Sequence, residues 1–295
     1  MREWVTILIA TLILAVGGCA GAPAHRGNGP LPVPLGDDMV VSAPQAAALH
    51  QAEERAIVSC MAQRGFSYEP VPVAPRQSTD NPYGLLSESE AATNGYGLSA
   101  TALAGPVKDP NEQVVAQLPI PRRDAWHDAL LGTGRHQATL SAPGVAPLQI
   151  DLDGCVHVAR DSLYGKDWEQ AQLTVEGLVA QIVAQVTTDQ GFVTAQTSWA
   201  ACMKANGENL ATLQQARGLV QDAVATADGD RAALQNVGRR ELHVAVVDAG
   251  CQRVSDLADA VRAAQERSEA RLPASSRQAV VTVVAGRDRV LRSVY

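Results

Sequence analysis

The stretch SCMAQRGF, Ser59–Phe66, and the stretch ACMKANGE, Ala201–Glu208, share one pattern, a Cys-Met pair with a glycine four residues after the methionine. A glycine at this position is typical of the residue just beyond the C-terminus of a helix, where the backbone turns left-handed. Both stretches therefore predict a helix with a cysteine in its last turn.

A second cysteine follows each of these stretches, after an acid and a glycine, in Asp153-Gly154-Cys155 and Asp248-Ala249-Gly250-Cys251. Four cysteines allow three connectivities, and the sequence alone does not choose among them. If the two similar stretches mark an internal duplication in which each half closes on itself, the pairs are Cys60–Cys155 and Cys202–Cys251. Chance similarity of short matches is the alternative.

The spacing of the four cysteines favours disulfides over other cysteine chemistry. None lies in a C-x-x-C pair, which is the usual spacing of zinc knuckles and of thioredoxin-type redox centres. A zinc site built from distant cysteines is the alternative. A catalytic cysteine needs a histidine partner, and the neighbouring sequence marks none.

The N-terminus places the protein outside the cytoplasm. The apolar run Val5–Val16 has 12 residues, too few to cross a hydrocarbon core of ~30 Å at ~1.5 Å per residue, and has the length of a signal-peptide core. The residues Val16-Gly17-Gly18-Cys19 that follow resemble a bacterial lipobox. The resemblance implies that residues 1–18 are a lipoprotein signal peptide. Cys19 is then the lipid-modified residue, which anchors the chain to the extracytoplasmic face of the cell membrane through diacyl and palmitate chains.

An ordinary secretory signal, cut after a nearby alanine, is the alternative to the lipobox. Residues 19–43 are rich in glycine, proline and alanine and show no periodicity, which predicts a flexible tether between membrane and folded domain. The formal net charge of −7 includes no basic stripe, so nucleic acid is not an expected partner. Aromatic residues make up 4% of the chain, which lowers the odds of a carbohydrate-binding or single-strand-binding groove.

Apolar periodicity predicts helices around the cysteines. Residues Ala46–Arg64 place Cys60 on an apolar face, with Pro44 just before the helix start, and Ser198–Asn206 does the same for Cys202. The longest predicted helix, Asp230–Arg271, carries an apolar seam at three- and four-residue steps. That seam consists of Val247, Cys251, Val254, Ala258 and Val261.

The remaining patterns divide the chain into a mixed subdomain, residues 44–166, and a helical bundle or hairpin, residues 167–295. The predicted helices of the second part are Leu173–Val186, Leu210–Ala227 and Ser275–Arg292, although VVTVV in the last could form a strand. The first part has predicted short helices at Ser87–Asn94, Asn111–Gln117, Arg122–Leu131 and Cys155–Tyr164. Alternating apolar residues in Gln137–Leu152 around Pro143-Gly144 predict a β-hairpin. The predicted fold is mainly α, a disulfide-stapled helical bundle with one small hairpin.

A run of short motifs in the first part resembles uncharacterised actinobacterial secreted proteins and lipoproteins that carry a Cys-Met-x3-Gly-Phe motif. The matching residues span roughly 55–166 and are Cys60-Met61, Gly65-Phe66, Tyr68, Tyr83-Gly84-Leu85, Ala91, Gly95-Tyr96-Gly97, Cys155 and Leu163-Tyr164-Gly165. The resemblance implies an extracytoplasmic location and a Cys60–Cys155 pair. It implies no activity.

The sequence holds few candidates for catalysis. G-x-S-x-G, H-E-x-x-H, P-loop and dinucleotide-binding patterns are absent from it. Asp153 with His157, or His127 with two neighbouring acids, could form a general-base pair or half a metal site, although capping and surface roles are the simpler interpretation. The two acids are Asp124 and Asp128.

Two further kinds of residue were candidates. His243 on the long helix is interpreted as a packed or partly exposed bundle residue. The tyrosines could line a common groove, or could fix loops to the core. They are Tyr68, Tyr83, Tyr96 and Tyr164.

These observations together favour a non-enzymatic, membrane-anchored lipoprotein that acts as a binding or structural module of the cell envelope. Its expected partners are the membrane, through the lipid on Cys19, and an envelope protein; no cofactor or metal is expected. A ligand-binding lipoprotein serving a transporter or sensor is the first alternative, and a hydrolase with a dispersed site is the second.

Overall fold

The computed structural model describes residues 30–73 and 81–294 and is built mainly of helices. The predicted mainly-α fold with one small hairpin is confirmed. The helices are α1 Ala43–Gln63, α2 Glu88–Asn94, α3 Leu98–Ala104, α4 Asn111–Gln117, α5 Ile120–Leu131, α6 Cys155–Tyr164, α7 Trp168–Thr187, α8 Gln190–Ala205, α9 Leu213–Ala227, α10 Arg231–Val254, α11 Leu257–Glu269 and α12 Ala274–Val294.

The predicted hairpin is present as two antiparallel strands, β1 Gln137–Leu140 and β2 Leu148–Asp151. Its tip lies on α7. The backbone N–H of Ser141 donates to Gln170 Oε1 at 3.3 Å, and Gln170 Nε2 donates to the Ser141 carbonyl at 2.9 Å. A Cβ on Gly177 would lie 2.4 Å from the Pro143 carbonyl oxygen, so the glycine at this position in α7 lets the tip approach.

Both disulfides predicted from the duplication are present, and each joins two helices. Cys60–Cys155 links α1 to α6, and Cys202–Cys251 links α8 to α10, each with a Cα–Cα distance of 5.6 Å.

Both Cys-Met-x3-Gly stretches end their helices in the same way. The glycines adopt φ angles of +76° at position 65 and +88° at position 207. The residue after each glycine donates its N–H to the carbonyl of the methionine, at 3.0 Å for Met61 and 2.9 Å for Met203. This is the backbone pattern of a Schellman C-cap, which confirms the glycines as helix-ending residues.

The two largest of the hydrophobic clusters among the described residues are called here the small core and the large core. The small core is formed by α1, α5 and α6 and contains Ile57, Met61, Trp126, Ala129, Cys155 and Ala159. The large core joins α7–α11 to the segment 83–96. Helix α12 packs against α1 and α6 as well as α7, so helices from before and after residue 166 are in contact.

The long helix expected over Asp230–Arg271 is wrong, because the chain breaks between α10 and α11. Asp256 adopts a left-handed φ of +52° there, a conformation that aspartate tolerates better than most residues. The break explains an error in the predicted seam: Val254 is 54% exposed, whereas Val261 is fully buried. Turning the chain at residue 256 lets Leu257 and Val261 enter the large core without Val254.

Other boundaries differ less. Pro44 lies inside the first turn of α1, because Ser42 is the N-cap and forms a capping box with Gln45. VVTVV belongs to helix α12 and not to a strand. Helix α3 was not predicted.

Residues 30–42, which we call the N-terminal strap, are packed on the helices, so the flexible tether expected over 19–43 is wrong for this part. The strap carbonyls of Pro32 and Val33 accept hydrogen bonds of 2.8 Å from Asn81 and Gln265. Leu31 and Leu35 pack against the large core. The glycine- and proline-rich composition of residues 19–43 did not predict this burial.

The rest of the predicted tether, the signal peptide at 1–18 and the lipid site Cys19 lie outside the described residues. Within the described ranges, no helix combines the length and apolar character needed to cross a membrane.

Candidate functional site: the hairpin cleft

A cleft of about 480 Å³ lies between the β-hairpin and the helices α1, α6, α7 and α12, and we call it the hairpin cleft. Its volume is within the ~300–1,000 Å³ range of small-molecule sites. One wall is apolar and comes from the hairpin. The helices supply the polar wall and further apolar residues, among them Leu49 and Leu173.

The apolar wall follows from the strand register. Leu140 pairs with Leu148, and Ala138 pairs with Ile150. Because side chains alternate across a strand, these residues share one face of the hairpin. Leu140, Leu148 and Ile150 line the cleft. Leu148 is 49% exposed, so this wall presents apolar surface to solvent.

The polar wall contains three charged residues from three helices, which we call the charged row: Glu53 of α1, Arg160 of α6 and Glu169 of α7. Arg160 Nε lies 3.5 Å from Glu53 Oε2, and Arg160 Nη1 lies 3.5 Å from Glu169 Oε1. The Arg160 side chain is 41% exposed. The guanidinium therefore lies between two carboxylates and still faces the cleft.

Neighbouring side chains hold the two carboxylates in place. The Tyr164 hydroxyl donates to Glu53 Oε1 at 2.8 Å, and His157 Nδ1 lies 2.5 Å from Glu169 Oε2. Burial, and next the charge of Glu53, raise the pKa of Tyr164 far above its usual value, so the phenol keeps its proton and donates it. Trp168 stacks on Tyr164 with ring centroids 4.2 Å apart.

Arg287 of α12 connects the cleft to the strap. Its side chain lines the cleft. The guanidinium donates to the carbonyl oxygens of Asp38, at 3.0 Å, and Met39, at 3.2 Å. Burial lowers the pKa of Arg287 from its usual value.

The general-base pair suggested for Asp153 and His157 is wrong, because the two side chains have different partners. Asp153 accepts hydrogen bonds from the Thr133 hydroxyl at 2.7 Å and the Thr133 N–H at 3.1 Å. These bonds lower the pKa of Asp153 to about 2. His136 also contacts Asp153 at 3.3 Å, whereas His157 pairs with Glu169. Asp153 thus fixes the turn before the hairpin.

The other suggested residues are dispersed. Those around Trp126, namely Asp124, His127 and Asp128, are exposed on α5. His243 is 61% exposed and lies 3.7 Å from Glu208. Within the described ranges, no group of three or more His, Cys, Asp or Glu side chains is placed to hold a metal ion.

The four tyrosines do not line one groove. Tyr83 and Tyr96 are buried in the large core. Tyr68 packs beside the small core and stacks on Trp126 at 6.2 Å, and Tyr164 lies at the hairpin cleft.

Sequence patterns did not predict the roles of Asp248 and Glu241, the two most deeply buried carboxylates among the described residues, each 1% exposed. Asp248 accepts hydrogen bonds from the Tyr96 hydroxyl at 2.7 Å and from Trp199 Nε1 and Gln252 Nε2 at 2.8 Å each. Burial raises the pKa of Asp248. Glu241 accepts from the N–H groups of Leu98 and Ser99. Both acids therefore hold the segment around Tyr96 against α10. In the sequence, the position of Asp248 three residues before Cys251 is the signal that could have indicated its role.

The hairpin cleft therefore combines an accessible apolar wall with converging charged groups. Its residues come from α1, from the consecutive elements hairpin, α6 and α7, and from α12, so three separate parts of the chain meet there. Comparison with family models, with curated proteins and with solved structures gives no match to this chain.

Proposed function

We propose that the protein is a membrane-anchored extracytoplasmic lipoprotein that acts as a non-enzymatic binding module of the cell envelope, with the hairpin cleft as its binding site. Two features support the anchor and the location. One is the lipobox resemblance of Val16-Gly17-Gly18-Cys19. The other is the presence of two disulfides, because disulfides persist mainly outside the reducing cytoplasm.

The observation that carries the binding role is that the polar wall of the cleft is preformed. The Cys60–Cys155 disulfide cross-links α1 and α6, the helices that supply Glu53 and Arg160. Hydrogen bonds from Tyr164 and His157 then fix the carboxylates of the charged row. A rigid site loses less conformational entropy on binding than a flexible one does.

A ligand-binding lipoprotein serving a transporter or sensor is the second candidate. The volume of the cleft and its mixture of apolar and charged walls favour a small ligand. An envelope protein would use the same cleft if it inserted a side chain or a chain end. The hydrolase alternative is weakened, because its candidate general-base pair does not form: Asp153 bonds Thr133 and not His157.

Metabolic labelling with an alkyne fatty acid in a bacterial host tests the anchor. We expect the full chain to be labelled, the Cys19→Ser variant to lose the label, and the matched Ala22→Ser variant to keep it. A diacylglyceryl mass on a peptide that begins with Cys19 would identify the modified residue. An unlabelled wild-type chain, or a label that survives Cys19→Ser, would overturn the proposed anchor.

A further inference from the structure

We propose that the hairpin cleft binds a small zwitterion with an apolar body, such as an apolar dipeptide. This inference rests on the binding role proposed above and names the chemical class of the ligand.

The first argument is the order of charges. Along the charged row a cation lies between two anions, with both ion-pair distances at 3.5 Å. Charged N–H···O hydrogen bonds are usually ~2.7–2.9 Å long, so the guanidinium is not saturated by its two neighbours. A ligand carboxylate can bind Arg160 while a ligand ammonium binds Glu53 or Glu169.

A ligand with a single charge fits this row less well. An anion at Arg160 would be repelled by both flanking carboxylates, and a cation at either carboxylate would be repelled by the guanidinium. A zwitterion places its carboxylate beside Arg160 and its ammonium beside one of the two glutamates, which is the electrostatic complementarity that sets specificity.

The second argument is the apolar wall. Leu140, Leu148 and Ile150 face the cleft from the hairpin, and Leu173 contributes from α7. Covering the exposed part of Leu148 would be favourable, at roughly 25 cal/mol per Å² of apolar surface removed from water. The ligand therefore needs an apolar body beside its charged groups.

Calorimetric titration of the full-length lipidated protein in nanodiscs with L-leucyl-L-leucine tests this assignment. We expect saturable binding that weakens at least about tenfold when the ligand is N-acetylated or C-amidated, because each change removes one charged hydrogen bond. A titration that stays flat up to about 10 mM, weaker than specific complexes, would overturn the proposal. Equal binding of the blocked dipeptides would also overturn it.

Three variants locate the binding. Arg160→Gln and Leu148→Ser should each weaken binding of the dipeptide at least about tenfold. Leu131→Ser should leave it unchanged, because Leu131 is 60% exposed and is not part of the cleft lining. Thermal unfolding of each variant shows whether it folds, and Glu53→Gln, which keeps a hydrogen-bond acceptor for Tyr164, is the second test should Arg160→Gln fail to fold. Binding that survives in all the cleft variants would place the ligand elsewhere.

Two outcomes separate this inference from the proposed function. If the protein is labelled and anchored, binds decanoate in a Leu148-dependent manner and does not bind the dipeptide, the binding role stands and the zwitterionic ligand is overturned. A protein without lipid that binds the dipeptide would keep the ligand class and overturn the anchor.

Discussion

The small core and the large core contain the same Cys-Met-x3-Gly stretch with the same helix end, yet they differ in how much packing surrounds it. The large core has 21 buried residues and the small core has 6. In the large core a second layer of support comes from the buried carboxylates Asp248 and Glu241. The small core is formed by fewer helices, and two of them, α1 and α6, also supply residues to the open hairpin cleft. The same local motif therefore ends a helix inside the large core and a helix that also lines the hairpin cleft.

This difference indicates that the two disulfides contribute differently to the structure, although the loss of unfolded-chain entropy expected from each is similar. Loops of 95 and 49 residues correspond to about 4.7 and 4.1 kcal/mol in the chain-entropy model. The loop lengths thus hardly distinguish the two bridges. The two bridges differ in the amount of packing that surrounds them. We expect Cys60–Cys155, which has less packing around it, to be the more important bridge for local rigidity.

Removal of a disulfide should have the largest effect. We expect the pair Cys60→Ala with Cys155→Ala, and the pair Cys202→Ala with Cys251→Ala, each to lower the free energy of unfolding by about 4–5 kcal/mol. Hydrogen exchange should locate the first loss in α1 and α6 and the second in the whole bundle. Equal loss of protection everywhere would remove the distinction between the cores.

The single variants check the pairing. Cys202→Ala should leave Cys251 as the alkylated thiol after unfolding, and Cys60→Ala should leave Cys155. Alkylation of a cysteine from the other pair would contradict the connectivity.

The methionines come next, because Met61 and Met203 occupy equivalent places and are both 0% exposed. Replacing a buried methionine by alanine costs about 2–5 kcal/mol, more where the surroundings cannot collapse into the cavity. We expect Met203→Ala at the upper end of that range and Met61→Ala at the lower end. Urea denaturation of the two variants measures the difference, and a costlier Met61→Ala would reverse our ranking of the cores.

The helix-ending glycines should show a smaller effect that is equal in the two cores. Both have positive φ, and a Cβ on either would meet nothing within 4 Å, so strain in the backbone is the main cost. We expect Gly65→Ala and Gly207→Ala each to lose about 1–2 kcal/mol. Gly218→Ala is the matched control, since Gly218 lies in the interior of α9 with the same open space, and it should gain about 0.5–1 kcal/mol. Unequal losses at 65 and 207 would show that packing also reaches these helix ends.

The smallest effect is a pair of opposite pH dependences. The pKa of Asp153 in the folded protein is lowered to about 2 from 3.8, so its contribution to stability is present above pH 3.8 and is lost as pH falls toward 2. The pKa of Asp248 is raised by burial. Its contribution is present below the unfolded value and is lost as pH rises through the folded value.

Unfolding free energies between about pH 2 and pH 7 measure both dependences. Asp153→Asn should remove the rise of stability with pH at the acid end, and Asp248→Asn should remove the fall at higher pH. Identical pH profiles of wild type and variants would contradict both assignments.

The parts of the fold that the sequence predicted rest on local chemistry. Glycine after Cys-Met ends a helix, and alternation around Pro143-Gly144 forms a hairpin, whichever residues pack against them. The break at Asp256 could not be predicted in this way, because the apolar steps continue through it and the burial of Val261 decides the geometry. The strap was misinterpreted for the same reason, since its partners Asn81 and Gln265 are remote in the chain.

The cleft depends on non-local contacts even more strongly. The hydrogen bond from Tyr164 to Glu53 joins residues separated by 111 positions, and no local pattern marks either as a partner of the other. Tyr164 was singled out only as one of several tyrosines beside turns. The charged row became visible once α1, α6 and α7 were placed side by side.

The docked strap would also limit how far a chain anchored through Cys19 could move from a membrane. Cys19 and Pro30 are 11 residues apart, so a lipid on Cys19 would be joined to the folded body by a chain of at most ~40 Å, at ~3.3–3.6 Å per residue. If residues 30–42 were not docked, this connecting chain would be about twice as long. With the strap docked, a lipid on Cys19 would keep Pro30, where the strap begins on α11, within ~40 Å of the bilayer surface.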